Sequence, residues 1–172
     1  MKIFLIGLPG SGKTTIGKQL AEKLKLPFLD LDKEIEKSQG QTIREIFEGK
    51  KETHFREIES GLLNKFCHSP ESFVLSTGGG APCFHDNMVV MNQSGKTIFL
   101  DVPAKEIADR LMKTDLSKRP LFAKMNDEVL KDKIEFLRSQ RIVFYRQATM
   151  VFQSTTINAK EIASKIKDYN PR

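Results

Sequence analysis

The sequence predicts an α/β fold, a parallel β-sheet covered on both faces by helices. Three observations carry this. Short apolar runs alternate along the chain with longer stretches of helical periodicity. Those runs are continuous rather than alternating, as strands buried on both faces require. Glycine, proline or aspartate stands at the end of most of them.

Each element follows in order. Residues 3–6 form an apolar run closed by Gly7, a buried strand. Residues 14–24 carry Ile16, Leu20 and Leu24 at steps of four, a helix. Residues 27–31 predict a second strand. Residues 33–66 are charged and mostly helical, broken near Gly40 and Gly49. A third strand covers 73–75 and runs into Gly78, Gly79 and Gly80. Residues 84–92 predict a helix, 96–101 a fourth strand ended by Pro103, and 105–112 another helix. Residues 113–124 are polar and basic and predict a loop. Residues 127–148 predict a long helix, 150–152 a fifth strand, and Asn158 caps a last helix carrying Ile162 and Ile166.

Composition narrows the function classes. With 172 residues, one domain over 1–172 is expected. The formal charge is +6, but no block of five or more Lys/Arg occurs, and two tyrosines and no tryptophan leave few stacking partners for single strands, although the twelve phenylalanines could be core or platform. Small anionic ligands are therefore expected, with no nucleic acid. Cys67 and Cys83 lack metal-ligand spacing, and Cys67 reads as a small buried apolar residue. The first apolar run is too short for a signal peptide and no stretch approaches a membrane span, so a cytoplasmic protein with no membrane partner is expected. A monomer is expected because no long apolar stripe is left over.

Gly7-Leu8-Pro9-Gly10-Ser11-Gly12-Lys13-Thr14 matches G-x-x-x-x-G-K-[ST] between a strand and a helix. Glycines let backbone N–H groups from Gly10 to Thr15, through Ser11 and Gly12, close around phosphate oxygens. Lys13 brings a point charge to the terminal phosphates and the Thr14 hydroxyl reaches Mg²⁺. The cofactors expected are ATP and Mg²⁺. The third strand ends in Ser76-Thr77 rather than the aspartate that many P-loop hydrolases place there. The acids instead follow the second strand, at Asp30 and Asp32. At i and i+2 of an extended chain they project to one face beside the phosphate loop. Alternatively, Asp32 caps a helix starting at Lys33. The segment Ser117-Lys118-Arg119-Pro120-Leu121-Phe122 suits a basic lid that closes over a phosphoryl group and excludes water.

The phosphate loop, Asp30-x-Asp32, Phe55-Arg56-x-x-Glu59, Gly78-Gly79-Gly80, Arg119-Pro120-Leu121 and Arg141-x-x-x-Tyr145 occur in this order over essentially the whole chain. Together they resemble the shikimate kinase family. The family usually has a proline within the Arg-x-x-x-Tyr segment, here Arg141-Ile142-Val143-Phe144-Tyr145, and a leucine where Phe122 stands.

The resemblance implies a three-layer α/β/α sandwich of the P-loop NTPase fold, with a five-stranded parallel sheet of order 2-3-1-4-5. It implies an acceptor-binding helical region at 32–66 and a mobile lid at 113–124. It further implies phosphorylation of the 3-hydroxyl of shikimate by ATP, in the route to aromatic amino acids. Asp32, Arg56, Gly78, Gly79, Gly80 and Arg141 would bind shikimate. Asp30 and Thr14 would serve Mg²⁺. Arg119 would touch both ATP and acceptor, and Arg110 and Asn158 would flank the adenine. Lys13, Asp32 and Arg119 would carry catalysis. Arg56 and Arg141 suit a carboxylate because each offers paired N–H donors, and Glu52 and Glu59 stand at i−4 and i+3 from Arg56 to hold it. The alternatives are another small-metabolite kinase, such as a gluconate or nucleoside monophosphate kinase, and a non-catalytic ATP-binding regulator.

Overall fold

A computed structural model describes residues 1–49, 51–113, 125–153 and 156–168. Among these, β1 (Lys2–Ile6), β2 (Phe28–Asp30), β3 (Phe73–Ser76), β4 (Lys96–Asp101) and β5 (Met150–Gln153) form one sheet of order β2-β3-β1-β4-β5. Every neighbouring pair is parallel. The α-helices among the described residues are α1 (Lys13–Leu24), α2 (Leu31–Gln39), α3 (Ile43–Gly49), α4 (Glu52–His68), α5 (Asn87–Ser94), α6 (Ala104–Met112) and α7 (Asp127–Tyr145), with α8 (Ala159–Asp168) following the last strand.

The three layers follow from the pleat. Alternate residues of β1 face opposite sides, so a continuous apolar strand feeds two cores. Ile3 and Leu5 pack with Leu20 of α1 and Ile162 of α8. Phe4 and Ile6 pack on the other side with Ile35, Leu63, Met91, Ile107 and Tyr145, from α2, α4, α5, α6 and α7. The carboxyl ends of β1, β2 and β3 therefore open onto a common edge, where open α/β sheets take their ligands.

Several boundaries differ from the sequence expectation. The second strand stops at Asp30, and Leu31 opens α2. Asp32 thus lies in the first turn of a helix, and the extended i, i+2 argument for the two acids does not apply. Nor does Asp32 cap a helix starting at Lys33. Asp30 holds the N-cap position, and its side chain makes no capping bond. The helix expected from residue 84 begins at Asn87, because His85 and Asp86 adopt left-handed φ values of 50° and 54°. The helix expected over 127–148 ends at Tyr145. It runs unbroken through Arg141, as the missing proline permits.

On α7, Val129, Phe136 and Val143 are exposed at seven-residue spacing. This is an apolar line that the sequence reading did not anticipate. The positions three and four residues on, Asp132, Lys133, Ser139 and Gln140, are polar, so the line lacks the second row that a helix seam needs.

Candidate active site

The phosphate loop joins β1 to α1 through backbone that side chains resist. Gly10 and Gly12 have φ of 85° and 96°. Helix α1 starts with no side-chain cap, leaving its first N–H groups turned toward the loop. Lys13 folds back, and its Nζ donates to the carbonyl oxygens of Gly7 and Leu8, 2.9 Å each. The Ser11 hydroxyl is buried with no hydrogen-bond partner in the structure. An orphan hydroxyl inside a ring of N–H donors fits an anionic guest such as a phosphate.

A cavity of about 460 Å³ opens over this loop. Residues 9–16 floor it, Asp30, Asp32, Gly78 and Gly79 close one end, and Val102, Arg110, Leu111 and Ile157 line the other. The structure thus brings Gly10, Ser11, Gly12, Lys13, Thr14, Thr15, Asp30, Asp32, Gly78, Gly79 and Arg110 to one space. Asn158 is next to this wall, and its side chain is committed to accepting from the Glu161 N–H at 2.9 Å, capping the last helix as expected. Arg119 lies outside the described residues, as does the lid except Lys113.

The two acids meet the loop differently. Asp30 Oδ2 accepts from the Thr14 hydroxyl at 3.1 Å, making a pair of hard oxygen groups at the foot of α1. Among the described residues no three His, Cys, Asp or Glu side chains cluster as a metal cage. Two protein oxygens beside a phosphate cradle fit Mg²⁺, which keeps several waters and takes its other ligands from phosphates. Asp32 faces the open cleft. Crowding by protein pushes its carboxyl pKa up, Asp30 and Glu36 add to this, and Lys13 and Arg56 oppose it. The result is a better proton acceptor than an ordinary surface aspartate.

A second cluster is built around Arg56 of α4. Its Nη1 donates to Glu59 Oε2 at 2.7 Å, and its Nη2 and Nε reach Glu52 Oε1 at 3.0 and 3.2 Å. Burial works against the guanidinium charge, and the two carboxylates overcome it and hold the proton more firmly. Burial likewise pushes the Glu59 carboxyl up, with Arg56 opposing, and its Oε1 has no hydrogen-bond partner.

The three glycines at 78–80 serve these side chains. None of them has a positive φ. A Cβ at Gly78 would stand 2.9 Å from Glu59 Oε1 and 3.0 Å from Asp32 Oδ1. One at Gly79 would stand 2.8 Å from Pro9 and 3.2 Å from Arg141 Nη1, and one at Gly80 2.7 Å from both Nη atoms of Arg56. Missing side chains here make room for two arginines and two acids. Tyr145 at the end of α7 is fully buried against Phe99, and its hydroxyl donates to the Gly79 carbonyl at 2.5 Å. Burial pushes its phenol well above the usual range, so it stays a donor.

Sequence reasoning missed the apolar wall of Val102, Leu111 and Ile157, which carries only the periodicity of core residues. It also gave Tyr145 no part beyond packing; the Arg-x-x-x-Tyr spacing was the available signal.

The family model described as shikimate kinase matches residues 9–170. A shikimate kinase of Bacteroides fragilis is 44% identical over 152 residues, covering 88% of this chain and 84% of that one. The crystal structure of shikimate kinase from Bacteroides thetaiotaomicron matches with a TM-score of 0.89 at 38% identity, over 98% of this chain and 97% of that one. That of shikimate kinase from Acinetobacter baumannii in complex with shikimate gives 0.84 at 35% identity, over 97% and 90%. With its phosphate loop, carboxylate pair and twin arginines on a sheet of the same kind, the chain belongs to the shikimate kinase family.

Proposed function

We propose that this protein transfers the γ-phosphate of ATP to the 3-hydroxyl of shikimate, giving 3-phosphoshikimate. The observation that carries this is Arg56 and Arg141 converging on a glycine loop that also borders the phosphate cradle. Shikimate presents one carboxylate and three ring hydroxyls. Paired guanidinium forks suit the carboxylate, while backbone at Gly78, Gly79 and Gly80 can approach the ring.

The residues divide the work as follows. The N–H groups from Gly10 to Thr15 and the Ser11 hydroxyl hold phosphate oxygens. Lys13 neutralises charge on the transferred group. Thr14 and Asp30 would hold Mg²⁺, which when bound would supply Lewis-acid neutralisation of phosphate charge. Asp32 orients the 3-hydroxyl and accepts its proton. Val102, Leu111, Ile157 and Arg110 would offer apolar and cationic contacts to an adenine ring, beside Asn158. Arg119, outside the described residues, would serve as the lid arginine toward both ATP and acceptor. In a loose transition state alignment and charge neutralisation outweigh base strength, so Lys13 and Arg119, with Mg²⁺ when bound, would carry most of the stabilisation.

We further propose one domain, with residues 32–66 binding the acceptor and 113–124 forming the lid, acting as a monomer in the cytoplasm without nucleic-acid or membrane partners. None of the helices among the described residues is long and apolar enough to cross a membrane. A coupled ADP-release assay with shikimate, gluconate and nucleoside monophosphates tests the reading. Turnover is expected with shikimate alone and is expected to vanish when Mg²⁺ is chelated. Turnover with another acceptor, or none with shikimate, would overturn it.

A further inference from the structure

Phe84 is a large apolar residue left 37% exposed next to Arg56. Its ring lies over the Arg56 guanidinium, 4.4 Å from centroid to Cζ, and buried Phe55 packs at 5.1 Å. The edges of the guanidinium are meanwhile held by Glu52 and Glu59.

The backbone after Phe84 is shaped to keep the ring there. His85 and Asp86 are consecutive left-handed residues that are not glycine, an arrangement that surrounding contacts must enforce. Those contacts are present. The Asn87 amide donates to the Phe84 carbonyl at 3.0 Å, and its side-chain Nδ2 donates to the Ala81 carbonyl at 2.9 Å. Its Oδ1 accepts from Ser60 Oγ at 2.8 Å. Ser60 stands one turn beyond Arg56 on α4, on the same side. The turn that presents Phe84 is therefore bolted to the helix that presents Arg56.

We infer that Phe84 is a positioning residue for the acceptor: its π-face locks the plane of the Arg56 guanidinium so that its fork meets the substrate carboxylate. Resting on the assignment of Arg56 to shikimate above, this adds a residue outside the six motifs that carry the family resemblance. A guanidinium held at its edges by carboxylates can still rock as a rigid plane about its Cδ–Nε bond. A ring on its face stops that motion and attracts the cation through its quadrupole. Leucine fills similar space without the quadrupole, and tryptophan offers a stronger one.

The test is steady-state kinetics of F84L, F84W and R56K, varying shikimate and ATP separately, with a thermal melt of each. F84L is expected to raise the KM for shikimate roughly five- to tenfold, the size of a partly desolvated cation–π contact. The KM for ATP, kcat and the melting temperature should stay near wild type, and F84W should restore shikimate binding. Equal losses in F84L and F84W, or a wild-type shikimate KM in F84L, would overturn the inference, as would parallel losses for both substrates. R56K separates the two layers. If R56K weakens shikimate binding and F84L does not, the positioning role alone fails; if R56K is harmless, the assignment of Arg56 fails and takes the inference with it.

Discussion

Replacing Gly80 by alanine is a clean probe of the proposed acceptor site. Gly80 has φ −92° and ψ −23°, a right-handed conformation that alanine adopts freely. The added methyl therefore strains no backbone, and by restricting the unfolded chain it contributes about 0.4–1 kcal/mol of stability. Its effect falls on Arg56. The new Cβ would stand 2.7 Å from Nη1 and Nη2, about 0.7 Å inside ordinary contact at 3.4 Å. Phe55 and Phe84 hold the faces of the guanidinium and Glu59 one edge, so it cannot rotate aside. A retreat of that size breaks at least one charge-assisted hydrogen bond, such as the 2.7 Å bond to Glu59, worth roughly 1.5–3 kcal/mol. It also withdraws the fork from the substrate carboxylate. A binding loss of that size corresponds to a roughly ten- to hundredfold higher KM for shikimate. The gain from the restricted unfolded chain offsets part of the strain, and the melting temperature should move by no more than a few degrees. The KM for ATP should not change. The assay is the coupled ADP-release reaction over a range of each substrate, with a melt in parallel. A wild-type KM for shikimate in G80A would refute the reasoning, as would an equal rise for ATP.

Other outcomes follow from the same geometry. D32N should lower kcat by about two to four orders of magnitude, the usual worth of a general base, while ATP still binds by calorimetry; an undiminished rate would remove Asp32 from the chemistry. Y145F leaves the Gly79 carbonyl without its buried donor and should cost about 1–3 kcal/mol in urea melts, with a raised shikimate KM; unchanged stability would count against that bond. G95A places a Cβ 2.5 Å from the Lys2 carbonyl oxygen at an extended position with φ −172°. It should destabilise by roughly 1–3 kcal/mol and leave kcat per folded molecule intact; a wild-type melt would contradict it. Burial pushes the Cys83 thiol from 9.0 up to about 11, so the unreactive protonated form dominates below that pH. Alkylation followed by intact mass should be slow at pH 8 and accelerate as pH rises through 10 to 11; rapid labelling at pH 8 would show that the burial is wrong.

The sequence by itself determined the elements of this protein that depend on local chemistry. Continuous apolar runs between helical stretches specified a parallel sheet covered on both faces, and the order expected by resemblance matches the one found. Gly-x-x-x-x-Gly-Lys-Thr located the phosphate cradle, because only a glycine-rich strand-to-helix turn exposes that many N–H donors. Breaks near Gly40 and Gly49 fell where α2 and α3 end. The tertiary structure decided what depends on approach through space. Asp30 and Asp32 share the cleft although the strand ends between them, because the cleft lies where β2 turns into α2. Gly78, Gly79 and Gly80 read alone as a flexible turn. Their reason for being bare is the arrival of Asp32, Glu59, Arg56 and Arg141 from three other helices. Phe84 read as the start of a helix, since nothing local announces two left-handed residues after it. Local propensity is written in neighbouring residues, whereas who stands against whom is settled only when a folded sheet brings distant segments to one edge.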